Sequence, residues 1–247
     1  MIFSYFIVIY RIIQLYEVLI AMSFQNQFTK TTTDANLMET VHHGSAEYPF
    51  HYYYENIALF DFKCIDWHWH SELEFIYIES GNVVFDIGTV HFELNEGNGI
   101  MINSKILHRL QSSSDAIIPN FLFQPSFIAP QDSLIYKKYI NPVISSSLEY
   151  LVFQPDIPWQ KKALEIIKTI IAVQETEFNR EIIVSMSVQQ LWILLLENLT
   201  FDQFENMGAV ISRTRLQLMM QYVHAHYSEN ITLEDIARTA NISKSTA

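Results

Sequence analysis

Cysteine is all but missing: Cys64 is the single one in 247 residues. No internal disulfide can form, which suits a reducing compartment such as the cytoplasm. Cys64 sits in a strand-like run and reads as a packed small hydrophobe, not a nucleophile. Positive charge is also scarce, with 15 Lys and Arg against 27 Asp and Glu and a formal net charge of −12. That balance excludes broad electrostatic binding to DNA or to an anionic membrane surface, while leaving room for a small local DNA-reading module. Long uninterrupted apolar runs are lacking too. Residues 1–22, "MIFSYFIVIYRIIQLYEVLIAM", are strongly apolar, but Arg11, Gln14 and Glu17 break them up. A membrane span wants about twenty apolar residues with few charges, and no secretory cleavage site follows. A membrane anchor and an amphipathic helix remain open, and an extension ahead of a start at Met22 is preferred. Internal repeats and low-complexity segments are absent.

What is present is the material of a folded core: 49% apolar and 14% aromatic residues, enough for one large domain or two modest ones. From 57 to 124 the chain is a series of short β-branched and aromatic runs, "IALFDFKCI", "LEFIYIE", "NVVFDIG", "TVHFEL", "GIMIN" and "NFLFQ", separated by glycine- and asparagine-containing turns. Many short strands with no helical pattern between them predict an antiparallel sandwich or barrel. The preceding "FHYYYEN" either covers a pocket or starts the sheet, and the second is preferred. Past Pro155 the period becomes helical. "WQKKALEIIKTIIAVQETEF" places Trp159, Ala163, Ile166, Ile167 and Ile170 on one face, and a second helix covers about 179–199. Its stretch Leu191 to Leu196 is apolar nearly all round, which requires burial on more than one side. A second subunit is the preferred cover, so helices 159–199 are expected to form a homodimer, with burial in the chain's own core as the alternative. "RTRLQLMMQYVHAHY" predicts a further helix whose stripe Leu216, Met219, Met220, Val223 and Tyr227 reads as core.

The tail "ENITLEDIARTANISKSTA" carries helix-turn-helix grammar. Thr232 is expected to cap a helix, with Asp235 three residues on in a capping-box arrangement. Leu233, Ile236, Ala237 and Ala240 form its buried face, Asn241 takes the left-handed turn, Ile242 plugs the interhelical space and Ser243 caps the next helix. That recognition helix would begin at Ser243 and run past residue 247, so DNA-contacting residues are expected at Ser243, Lys244, Ser245 and Thr246, with most of the reading surface beyond the sequence. Two ordinary short helices joined by an asparagine turn are the alternative.

"DWHWHSELEFIYIESG" raises the chemistry. Residues two apart on a strand share a face, roughly 6.6 Å apart at the Cα atoms. His68 and His70 therefore aim inward while Trp67 and Trp69 point away, and Glu74 on the next strand reaches the same spot. The group serves either a metal or a pocket that hydrogen-bonds a small effector.

The stretch "LEDIARTANISKST" resembles the opening of the DNA-binding region of AraC/XylS transcription regulators, and "WHWHSELEFIYIESG" with "GNGIMINSKILHRL" resembles their cupin-type effector domain. The resemblance covers about 38–247. It implies an α+β chain: a 1–37 extension and arm, a cupin-type antiparallel β-barrel at 38–155, a helical dimerisation pair at 156–206 and a partial helix-turn-helix region at 207–247. His68, His70, Glu74 and Gly81 match the first cupin motif, Gly97 and His108 the second. Phe62 and Lys105 stand where glycines are usual, Asn103 where proline is, and Ser112 where asparagine is. The ligand positions His68, His70, Glu74 and His108 are all filled, a set that suits Fe, Mn, Ni or Zn. The resemblance implies a cytoplasmic, non-enzymatic regulator that binds a small effector at these four residues, with a sugar as one candidate, and promoter DNA in its complete form. It implies no required cofactor. A metal-dependent cupin oxygenase or isomerase, and a dimerising regulator fragment unable to bind DNA, are the alternatives.

Overall fold

The computed structural model describes residues 30–176, 178–199 and 207–246; the apolar segment before Met22 lies outside them. Among the described residues, nine strands form two antiparallel sheets. They are β1 Phe50–Asn56, β2 Cys64–His68, β3 Leu73–Tyr77, β4 Asn82–Ile87, β5 Val90–Asn95, β6 Gly99–Ile102, β7 His108–Gln111, β8 Ile117–Phe123 and β9 Tyr150–Phe153. One sheet has the order β1-β8-β3-β6-β9 and the other β2-β7-β4-β5. This is the cupin-like β architecture expected, with helices following, and "FHYYYEN" does start a sheet, pairing along β8.

Alternation on β3 organises the core. Its inward-facing Ile76 joins Ile65, Phe85, Ile100, Leu110 and Ile118 between the sheets. Its Leu73 and Phe75 face the other way, where Phe121, Phe123 and Phe153 meet the helices. The Phe75 ring stacks at 5.3 Å on Phe121 and 5.8 Å on Phe123. Burying each such ring contributes roughly 1.5–3 kcal/mol. A strand with both faces covered puts Glu74 inside the barrel.

Five α-helices follow among the described residues: α1 Asn141–Ile144, α2 Pro158–Ala172, α3 Arg180–Asn198, α4 Met207–His226 and α5 Leu233–Thr239. On α2 the buried residues are Ala163, Leu164, Ile167 and Ile170, whereas Ile166 and Trp159 are half-buried. Trp159 stands edge-on to Phe153. On α3, Leu191, Trp192 and Leu195 are buried, and the Trp192 indole donates to the Tyr139 carbonyl at 3.0 Å. The opposite face of α3 leaves Ile182, Met186 and Ile193 more than half exposed.

Several elements depart from expectation. "IALFDFKCI" is not one strand. The Asn56 side chain accepts from Ala58 N–H at 2.9 Å and starts a 3-10 turn, Ile57–Leu59, followed by a second at Asp61–Lys63, so that only Cys64 onward is extended. A π-helical turn at Tyr136–Ile140, the short α1 and strand β9 occupy a stretch where no periodicity was evident. The α4 stripe is not fully core: Leu216, Met219, Met220 and Val223 are half-buried, and because α4 ends at His226, whose carbonyl accepts from Glu229 N–H at 2.8 Å, the turn leaves Tyr227 77% exposed. Leu233 likewise is 44% exposed, because α5 begins there and its inward face is carried by Ala237 and Ala240.

The cap and turn of the tail form as their sequence dictates, whereas residues 243–246 are a turn and not the expected start of a helix. Thr232 accepts from Asp235 N–H while the Asp235 carboxylate accepts from Thr232 N–H, a complete capping box. Asn241 takes the left-handed φ of 52°, and Ile242 N–H closes back on the Ala237 carbonyl at 3.1 Å. Among the described residues no helix is long and apolar enough to cross a membrane.

Candidate ligand-binding site

His68 ends β2, His108 begins β7, and the two are direct cross-strand partners after a register shift between Ile65 and His68. Their rings lie 4.1 Å apart between centroids, with His70 at 5.7 Å from His68 and 5.2 Å from His108. One ligand nitrogen from each of the three lies within 4.8 Å of the others. Glu74 Oε2 is 3.3 Å from His70 Nε2 and 3.2 Å from His108 Nε2. The four residues expected at the site are therefore brought together, and all are buried.

Tautomers follow from the backbone. His68 Nδ1 is 2.7 Å from the Asp66 carbonyl and His108 Nδ1 is 2.8 Å from the Ile106 carbonyl. A carbonyl only accepts, so both rings carry their proton on Nδ1 and turn Nε2 to the interior. This is the arrangement in which a histidine is oriented as a ligand by its other nitrogen. His108 Nε2 nevertheless makes no well-directed hydrogen bond to Glu74 despite their proximity, and His70 Nδ1 has no partner either, Glu72 being 3.8 Å away. Two buried imidazole nitrogens are thus left unsatisfied, which is costly unless a ligand or cation meets them.

Burial, reinforced by the neighbouring His108, pushes the His68 imidazole down to about 3, so it is neutral at ordinary pH. Burial opposes a charge on His70 as well, but the Glu74 carboxylate beside it raises its pKa on balance. Burial likewise opposes ionisation of Glu74, yet the His70 imidazole hydrogen-bonded to it outweighs burial and lowers its pKa.

Sequence reasoning missed the other wall. The arm backbone runs beside Trp69: Trp69 N–H donates to the Leu37 carbonyl at 3.0 Å and Glu39 N–H to the Trp69 carbonyl at 2.9 Å. Glu39, His43 and Tyr53 thereby join His68 and Glu74 around a cavity of about 40 Å³, with Ile65, Leu110 and Ile118 as its apolar floor. His43 bridges Tyr53 OH at 2.9 Å and Glu39 at 3.1 Å. A water requires about 10–15 Å³ on this measure, so the cavity has room for a few waters or an ion. The pair "HH" at 42–43 was the one available signal, and it carries no strand period. Trp67 and Trp69 do point away, the first under the Arg109 guanidinium and the second donating its indole N–H to the Asn36 carbonyl at 2.8 Å. The same carbonyl accepts from Gln221 of α4 at 2.9 Å.

The motif departures preserve geometry. Phe62 and Lys105 adopt φ of 59° and 62°, in the left-handed region with Gly81 at 81° and Gly97 at 86°. Asn103 donates to the Val143 and Leu148 carbonyls, and Ser112 to the Asn82 carbonyl. Ser243, Lys244, Ser245 and Thr246 lie apart in the exposed turn after α5.

Residues 61–130 match the family described as AraC-like ligand binding domain. A Bacillus subtilis (strain 168) protein described as an uncharacterized HTH-type transcriptional regulator, YdeC, is 33% identical over 219 residues, spanning 86% of this chain and 73% of its own length. Among solved structures, an apo form of a ToxT point variant from Vibrio cholerae aligns with 83% of this chain and 73% of its own at 9% identity and a TM-score of 0.41. A cupin-2 domain protein of Shewanella frigidimarina covers 30% of this chain and 69% of its own at 14% identity and a TM-score of 0.27. With an effector-domain match over the histidines and a regulator related along most of its length, the chain belongs to the AraC family of ligand-responsive transcription regulators.

Proposed function

We propose that the chain senses a small ligand in the imidazole-lined cavity and passes its occupancy to the helix-turn-helix region, acting by regulation and not by turnover. The carrying observation is that His68 and Glu74 line a cavity covered by the arm, with His70 and His108 packed against them, and that the arm's Asn36 carbonyl is also bonded to α4. A ligand shifts only states it binds unequally, and arm open or closed are two such states. With the arm closed there is no room for a sugar, which would enter only by displacing it. Purified protein challenged with a panel of small polar ligands is expected to show a rise in Tm for the binder and none for the His68→Ala variant. Equal responses from both would remove the site assignment.

A second reading is favoured by the two unsatisfied imidazole nitrogens: His68, His70, His108 and Glu74 fit a divalent transition metal such as Fe, Mn, Ni or Zn. Bound there, it would supply an electrophilic anchor for an oxygen- or nitrogen-bearing effector. Elemental analysis of purified protein tests this, and absence of stoichiometric metal after growth in supplemented medium would remove it.

The division into an arm, an effector domain at 38–155, helices at 156–206 and a DNA-binding region from 207 fits the element order. Promoter contact is assigned to Ser243, Lys244, Ser245 and Thr246, and the setting to the cytoplasm, where one unpaired cysteine is unproblematic. Dimerisation is assigned to the exposed stripe Ile182, Met186 and Ile193, beside an apolar cleft of about 980 Å³ that includes Tyr139, Trp192 and Leu196. A Met186→Glu, Ile193→Glu double variant should sediment as a monomer where the parent is a dimer, and an unaltered dimer would redirect the assignment.

A further inference from the structure

The histidines and Glu74 come from β2, β3, β7 and the segments beside them, but part of the cavity wall is supplied by no strand. The arm pairs with Trp69, the residue between His68 and His70, through the Glu39 N–H and the Leu37 carbonyl. Glu39 is thereby carried into the cavity that His68 and Glu74 line. Its side chain is 15% exposed, and among the described residues its ion-pair partner is His43. His43 in turn is fixed by Tyr53, and its ring stands edge-on to His70 at 5.8 Å.

The charge balance of this cavity is one-sided. Glu39, Glu55 and Glu74 line it, against Lys30, which is exposed to solvent. The interior is therefore unsuited to a carboxylate or phosphate and suited to a cation. The unsatisfied His70 Nδ1 and His108 Nε2 are further donors of electron pairs in the histidine cluster, which reaches the cavity through His68. About 40 Å³ admits an ion with a little water but no organic amine of ordinary size.

We propose that Glu39 is the arm's contribution to a divalent transition-metal site at His68, His70, Glu74 and His108: the cation attracts the Glu39 carboxylate across the cavity and so holds the arm closed. This rests on the metal reading above. Glu39 lies outside the group of three whose ligand nitrogens are mutually close, so it acts as an outer carboxylate or swings inward on its side-chain torsions. Metal binding and arm closure then stabilise each other by the same factor, as linkage requires. The arm also bonds Gln221, so metal occupancy reaches α4 through Asn36.

The test uses the full chain, stripped with chelator and titrated with Zn²⁺ or Mn²⁺ by calorimetry. Hydrogen exchange is followed in parallel at residues 37–43 and at Trp69. Glu39→Gln should bind metal about 10- to 100-fold more weakly, the range for loss of a supporting carboxylate. Metal should slow arm exchange in the parent and not in that variant, while Glu39→Asp recovers part of both effects. Unchanged exchange in β3 and β8 would establish that the variants fold. Equal metal affinity in Glu39→Gln, or arm exchange indifferent to metal in the parent, would overturn the role of Glu39 and leave the metal reading standing. A parent that binds neither ion would overturn both.

Discussion

Replacing Phe62 and Lys105 by glycine should stabilise this protein, an unusual expectation for removing an aromatic and a long side chain. Phe62 is 100% exposed, so its ring contributes no burial. It sits at φ 59°, and Lys105, also exposed, sits at φ 62°. A side chain in the left-handed region costs about 1–2 kcal/mol relative to the right-handed one. Glycine escapes that cost but gives back roughly 0.5–1 kcal/mol through its larger unfolded-state freedom. The net gain is about 0–1.5 kcal/mol per site, centred on about 0.75 kcal/mol, or up to about 6 °C in Tm for a chain of this size. The Lys105 N–H that donates to the His70 carbonyl at 2.8 Å survives the change, so the site stays in register. Urea denaturation of Phe62→Gly, Lys105→Gly and the double variant gives the midpoint shift directly. A fall in the midpoint for both single variants, with unchanged slope, would refute the strain argument. A fall for Phe62→Gly alone would mean that its exposed ring is occupied in solution by a contact worth more than the strain.

Two further expectations follow from the described contacts. Thr232→Ala removes the cap of the seven-residue α5 and should cost about 1 kcal/mol; hydrogen exchange over 235–240 should rise about fivefold, with barrel amides unaffected. Asp86 accepts from Arg109 and from His91, and although burial opposes it, these contacts hold its pKa below the ordinary 3.8. A depressed carboxyl contributes stability that is present above its unfolded value and lost as pH falls through the folded one. Asp86→Asn should therefore lower the denaturation midpoint at pH 6, with the gap to the parent narrowing as pH falls below the ordinary carboxylate value; a gap that stays constant on acidification would contradict it.

The half of the site carried by strands was legible because it obeys a local rule. His68 and His70 stand two apart at and just past the end of β2, Glu74 is the second residue of β3, and the period of two anticipates which way each points. The cap of α5 and the turn after it were legible for a similar reason, since Thr232, Asp235 and Asn241 have jobs defined by their neighbours in sequence. Glu39 and His43 were not, because a bridge between Met38 and Trp69 brings them in across some thirty residues, and no local pattern encodes such a pairing. Nor was the turn at 57–63: its residues have strand propensity, and one Asn56 side-chain hydrogen bond overrides it. Exposure of Tyr227 was hidden by the end of α4, which no glycine or proline marks.

How occupancy of so small a cavity could reach the helices depends on which wall yields first. Two routes lead out. Through the sheet, β8 turns Asn120 and Leu122 toward the cavity and Phe121 and Phe123 toward α2 and α3. That route runs through stacked, fully buried rings, which resist displacement because close-packed interiors have few alternative arrangements. Through the arm, the path is Trp69, Asn36 and Gln221, held by exposed hydrogen bonds each worth about 0.5–1.5 kcal/mol. The arm is therefore the wall expected to move, and the sheet the frame against which it moves. Trp69→Phe separates the two routes, since it deletes the indole donor to Asn36 while retaining an aromatic ring. If arm exchange over 36–41 rises about two- to tenfold and the coupling between ligand and α4 weakens, the arm route holds. If ligand still alters exchange in α4 undiminished, the signal travels through β8 and the phenylalanine stack instead.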